Sequence, residues 1–180
     1  MAIIRELRGD KPVVGDRTFL AETATLIGTV EIGEDCSIWY GAVLRADVGA
    51  IRIGNFSNVQ DNAILHATFG ESECIIGEYV SIGHGANVHG CVIGNDVIIG
   101  MGAIVMDNTI IPDGTIIAAG AVVPANQVLE PGIYAGIDEL KEVARLCEKY
   151  DRPMTVHPRA CSAVSMTYPL LGRPHLLRAL

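Results

Sequence analysis

Aromatic residues are scarce: the 180-residue chain has three Phe and one Trp, although 49% of its residues are hydrophobic. The apolar interior must therefore be built from Ile, Val and Ala, which suits narrow, regularly stacked layers. Basic charge is also scarce. Thirteen Lys and Arg stand against 21 Asp and Glu, a net −8, and this argues against a nucleic-acid partner, whose phosphates require a basic surface. No apolar run approaches the roughly 18 residues of a membrane span, and no signal-type apolar region follows Met1, so a cytoplasmic, soluble protein with no membrane partner is expected. The cysteines Cys36, Cys74, Cys91, Cys147 and Cys161 are odd in number and never spaced CxxC. That argues against a disulfide framework or a cysteine zinc site and for buried free thiols.

What is present is a repeat. Leu20, Leu26, Ile32, Ile38 and Leu44 stand six apart, as do Ile53, Val59 and Leu65, then Ile76, Ile82 and Val88. The longest series runs Ile93, Ile99, Val105, Ile111, Ile117, Val123 and Leu129 without a slip. Gly often follows the aliphatic, and four residues on the side chain is small, as at Ala24, Cys36, Ala42, Ala86, Ala103 and Ala121. Neither a helix nor an ordinary sheet has this period. A short strand plus a tight turn does, and three such units close one triangular coil, giving about six coils here. Coils stack about 4.8 Å apart with backbone bonded to backbone, so the fold class is an all-β parallel β-helix. The polar stretch 67–73, ATFGESE, reads as a loop extruded from a corner.

The register orders the histidines. With that loop removed, His66 and His89 occupy the same position of units three apart, so they share a face on adjacent coils and can lean onto one ion. His84 lies on a different face and cannot readily join them within one chain. A neighbouring protomer in a threefold assembly can supply it, giving three identical interface sites. Three histidines with an open fourth position is a catalytic zinc arrangement. His157 and His175 fall in the irregular C-terminal region and read as non-ligands.

The ordered motifs R45-A-D47, N58-V-Q60-D61, L65-H66, G83-H84-G-A-N-V-H89-G-C91 and I99-G-M-G-A103 resemble the γ-class carbonic anhydrase family and its hexapeptide-repeat relatives, over roughly residues 10–135. The resemblance implies a left-handed β-helix, a homotrimer and a metal site shared between protomers, with His66, His84 and His89 as ligands. It implies Zn2+, while three imidazoles also suit Fe2+ or Co2+. Gln60 matches a side chain that hydrogen-bonds water or substrate beside the metal, Asn58 a pocket amide, and Arg45, Asp47 and Asp61 charged groups at the interface that either contribute to catalysis or hold the trimer together. The implied activity is reversible hydration of CO2 to bicarbonate, with the metal lowering the pKa of water to about 7.

The chain departs from the family pattern in two places. Val48 stands where the family prototype has a proton-shuttling Glu, and Glu71 and Glu73 of the extruded loop are either substitutes or solvated charges. After the last coil the chain reads G132-I-Y-A-G136 without the family's proline and lysine. The expected organisation is a β-helix domain over 1–135, an α-helix over 136–151 packed on it with Asp138 as cap, and a basic, proline-containing tail over 152–180. Two other functions share this fold: a hexapeptide acyltransferase, and a non-catalytic metal-binding scaffold.

Overall fold

In the computed structural model each hexapeptide becomes a short strand, a bend and a tight turn. Residues 1–135 are described, together with Arg145 and Lys149, which are both helical and exposed. The remainder of the expected helix 136–151, the whole tail 152–180, and with them Cys147, Cys161, His157 and His175, lie outside the described residues.

All strands stack in parallel on three faces. Face one carries Ile3–Arg5, the starts of the long strands Thr25–Ile32 and Val43–Ile53, then Ile64–His66, Asn87–His89, Ile104–Val105 and Val122–Val123. Face two carries Val13–Val14, the ends of the same two long strands, Cys74–Ile76, Val92–Ile93 and Ile110–Ile111. Face three is a seven-stranded sheet of Phe19–Leu20, Ser37–Ile38, Asn58–Val59, Ser81–Ile82, Ile98–Ile99, Ile116–Ile117 and Ile133–Tyr134. The result is a left-handed parallel β-helix of hexapeptide repeats. It has seven coils where the aliphatic spacing indicated about six. The additional coil is the first, and it escapes the count because Ile4 and Val14 are separated by a turn closed by the Leu7–Asp10 bridge.

The period works because one residue in six points into the prism. Leu26, Leu44, Leu65, Val88, Val105 and Val123 form one buried column, and Ile38, Val59, Ile82, Ile99 and Ile117 another. Burying each such side chain contributes roughly 1.5–3 kcal/mol. At the corner leading onto face one, Ala24, Ala42, Ala63, Ala86, Ala103 and Ala121 stack, since nothing larger than a methyl fits where two faces converge. The residue before each of the last five, Gly41, Asn62, Gly85, Gly102 and Gly120, turns the chain with φ between 58° and 70°, a conformation that favours Gly and Asn. Cys36, Cys74 and Cys91 are buried and free. Among the described residues no helix is long and apolar enough to cross a membrane.

Insertions concentrate at one corner, between faces one and two. Residues 6–12 leave it in the first coil, residues 47–49 bulge there within Val43–Ile53, and residues 67–73 leave it as a loop with Phe69 exposed at the tip. This corner also carries His66 and His89.

Candidate metal centre

His66 ends Ile64–His66, His89 ends Asn87–His89, and the two are directly paired across adjacent coils. Their ring centroids lie 5.0 Å apart, and His66 Nδ1 faces His89 Nε2 at 3.0 Å. The outer nitrogen of each ring meets an aspartate: His66 Nε2 is 3.0 Å from Asp47 Oδ1, and His89 Nδ1 is 2.8 Å from Asp107 Oδ2. A carboxylate only accepts, so each outer nitrogen carries the ring hydrogen and the two inner nitrogens confront each other as lone pairs. A proton or a cation between them resolves that conflict. Two nitrogens on one tetrahedral zinc lie about 3.3 Å apart for Zn–N bonds of about 2.0–2.1 Å, close to the spacing seen. Carboxylate support behind each imidazole is also the usual outer arrangement of metal-binding histidines.

Both aspartates are themselves held. Arg45 Nη1 donates to Asp47 Oδ2 at 2.6 Å. Burial alone would raise the pKa of Asp47, but the hydrogen bonds from His66 and Arg45 outweigh it and keep the carboxyl below its usual range. Ser72 Oγ donates to Asp107 Oδ1 at 2.6 Å and accepts from Thr68 N at 3.0 Å. Burial again opposes ionisation of Asp107, and bonds from Ser72, Thr68 and His89 overcome it and lower its pKa. The Ser72–Asp107 contact depends on Gly90, where a Cβ would fall on both Ser72 Oγ and Asp107 Oδ1. The extruded loop is thus tied into the support of His89.

The remaining candidates form a second group, at the corner between faces three and one. His84 is exposed, and its Nδ1 is 2.9 Å from Asp61 Oδ2, which leaves Nε2 outside that bond. Gln60 Nε2 donates to Asn58 Oδ1 at 3.1 Å, and Asn58 Nδ2 to Ser81 Oγ at 2.8 Å. Asn58, Gln60, Asp61 and His84 line an open cleft of about 410 Å³ with Ser37 and Trp39. The structure therefore brings Arg45, Asp47, His66 and His89 together, and separately Asn58, Gln60, Asp61 and His84. Among the described residues of the chain, no three His, Cys, Asp or Glu side chains converge as a metal-holding group.

Val48 is half-buried beside Asp47. Glu73 accepts from Arg52 Nη1 at 2.7 Å on face two, while Glu71 is exposed in the loop. Sequence reasoning missed Asp107, Ser72, Ser81 and Trp39. Asp107 had a usable signal, since it follows His89 by 18 residues, the length of one uninterrupted coil.

Comparison with known proteins gives three kinds of match. Residues 90–125 match the family described as bacterial transferase hexapeptide (six repeats). Among curated proteins, the chain is 38% identical to Protein YrdA of Escherichia coli over 154 residues, 82% of this chain and 83% of that one. It is 39% identical to gamma carbonic anhydrase 1, mitochondrial, of Arabidopsis thaliana over 101 residues, which is 53% of this chain and only 37% of the plant protein. Among solved structures, a hexapeptide transferase family protein from Anaplasma phagocytophilum is 34% identical with a TM-score of 0.68, covering 82% of this chain and 93% of that one.

Proposed function

Because the chain belongs to the γ-class carbonic anhydrase family of hexapeptide-repeat proteins, we propose that it hydrates CO2 reversibly at metal sites between the protomers of a homotrimer. The observation that carries this reading is that each of three histidines has one ring nitrogen held by one aspartate. Asp47 holds His66, Asp107 holds His89 and Asp61 holds His84, so each ring keeps one nitrogen for a metal. His66 and His89 of one protomer would hold the ion together with the exposed His84 of a neighbour, because His84 lies at another corner of its own prism.

Zn2+ is the proposed ion, with Fe2+ or Co2+ compatible with the same imidazoles, and when bound it would supply hydroxide from water near pH 7. The chain's own residues do the rest. Arg45 and Asp47 fix His66, and Asp107 with Ser72 fixes His89. Gln60 and Asn58 line the cleft beside His84 and orient the reacting oxygens. Removal of the proton is the weak step. Val48 cannot carry a proton and Glu73 is engaged by Arg52, which leaves Glu71 or external buffer as the acceptor.

The test is metal analysis of protein purified without chelator, paired with CO2 hydration by wild type and His89→Ala. About one metal per chain, hydration by wild type and loss of both in the variant are expected. A ratio far below one per chain sinks the shared site. Metal without hydration favours the scaffold reading. Turnover of acetyl-CoA in place of hydration favours the acyltransferase reading, which the hexapeptide transferase match keeps in view.

A further inference from the structure

The outward residues of face three are apolar at most levels, with Phe19 in the first coil and Ile98 and Ile133 in later ones exposed. Three consecutive rungs break that stripe. Ser37, Asn58 and Ser81 are register partners on adjacent coils, and Ser37 and Asn58 line the cleft next to His84. Trp39 Nε1 donates to Ser37 Oγ at 3.0 Å, so the aromatic wall of the cleft is anchored to the lowest rung.

The upper two rungs form a chain with Gln60. Gln60 Nε2 donates to Asn58 Oδ1, and Asn58 Nδ2 donates to Ser81 Oγ. In this direction Gln60 Oε1 stays outside the chain, a lone-pair acceptor for the cleft. The chain ends on a hydroxyl, whose single oxygen can either donate or accept. Both amides can therefore turn over together: Ser81 O–H donates to Asn58 Oδ1, Asn58 Nδ2–H donates to Gln60 Oε1, and Gln60 Nε2–H faces the cleft. Neither direction loses a bond. A residue unable to donate, or to accept, would permit only one.

We propose that Ser81 is a positioning residue: through Asn58 it orients Gln60 and lets that single amide serve as acceptor for the O–H of water and as N–H donor to the oxygen of bicarbonate. This deepens the CO2 hydration reading and rests on it. That reaction begins with a hydrogen-bond donor and ends with an anionic acceptor in one cleft, so a side chain of fixed polarity would suit only one end of it.

The experiment uses the full chain with Ser81→Ala and Ser81→Thr. The first readout needs no metal: side-chain amide resonances of Asn58 and Gln60, each assigned through its Asn or Gln substitution. Ser81→Ala is expected to move both amides although Ser81 touches only Asn58, and Ser81→Thr to return both. A Gln60 resonance that stays in place while that of Asn58 moves overturns the proposal. In metal-loaded protein, Ser81→Ala removes the anchoring bond from both directions of the chain, so Gln60 is held less firmly. Inhibition of CO2 hydration by bicarbonate is expected to weaken by up to about tenfold, the effect of one hydrogen bond to a charged acceptor lost outright, at unchanged metal content, with Ser81→Thr restoring it. Unchanged bicarbonate inhibition also overturns it. Wild type that hydrates no CO2 yet shows the coupled amides would refute the hydration reading while supporting Ser81 as the residue that orients Gln60.

Discussion

The coils from Asn87 to Val123 and those below them are built from the same hexapeptide and differ in what they add to it. In the upper coils no insertion interrupts the repeat, and the outward strand residues Val92, Ile98, Ile104, Ile110 and Val122 are exposed and aliphatic. In the lower coils the outward residues include Glu31, Ser37, Arg52, Asn58 and Ser81, and residues 6–12, 47–49 and 67–73 leave the corner between faces one and two. Strand pairing stays parallel throughout. The difference teaches that the interior column alone is enough to hold the prism, so that one corner is free to carry extra residues. Arg45, Asp47, His66 and Ser72 all lie in or beside those extra residues.

The sharpest way to break this division is to damage the frame where no candidate site residue stands. Ile99 is fully buried in the upper coils on face three. Ile99→Ala is expected to cost about 2–5 kcal/mol, the lost transfer energy plus the cavity left behind. In denaturant unfolding the midpoint should fall with little change in slope, and the native fraction should bind metal as wild type does. Loss of metal stoichiometry in the native fraction would show that frame and site are not separable.

The division is not absolute, because Asp107 belongs to the regular coils yet holds His89. Asp107→Asn keeps the size and removes the charge, and it is expected to weaken metal binding about 10–100-fold, measured by competition with a chelator. A pH dependence follows from the same bonds. Asp47 and Asp107 have folded-state pKa values below the unfolded value of about 3.9. Between the two values the unfolded chain binds more protons, so the stability these carboxylates contribute is present above about pH 4 and lost as pH falls through the folded values. Asp107→Asn should flatten that part of the stability profile, and an unchanged profile would place the acid sensitivity elsewhere.

The aliphatic columns and the alanine corner were legible in the sequence because a period of six is written in the covalent chain. The first coil was not, since a turn hides Ile4 from Val14. Asp107 and Ser72 meet through two further conditions, a loop folding back and a missing Cβ at Gly90, neither of which periodicity encodes. Ser81 and Trp39 were illegible for another reason. Outward positions are not constrained by the repeat, so their significance comes from which neighbours stack beside them. The histidines stood out because few residues besides metal ligands, acids and bases need an imidazole.

A smaller effect tests the proton path at the irregular corner. Val48 is half-buried next to Asp47, and a carboxylate there would stand beside the proposed site without displacing a core residue. Val48→Glu is expected to raise CO2 hydration about tenfold in dilute buffer, a modest fraction of what a positioned acid–base group supplies. The gain should shrink as buffer concentration rises, because external base then carries the proton. A rate that ignores both the substitution and the buffer would mean that proton removal is not limiting.

The smallest effect lies within a single regular coil and compares two threonines. Thr109 and Thr115 are both fully buried. Thr109 Oγ1 donates to Pro124 O at 2.9 Å, whereas Thr115 Oγ1 has no hydrogen-bond partner among the described residues. Thr115 stands in the corner ladder that carries Val80 and Val97 in the coils below, so a valine of nearly the same shape is already accommodated there. Replacing an unsatisfied hydroxyl by a methyl should stabilise by about 1 kcal/mol, while the same change at Thr109 strands the Pro124 carbonyl and should cost about as much. Opposite signs for Thr115→Val and Thr109→Val in denaturant unfolding are expected. If both destabilise, Thr115 has a buried hydrogen-bond partner after all, and even the plainest coil of the prism carries a polar contact that its repeat does not require.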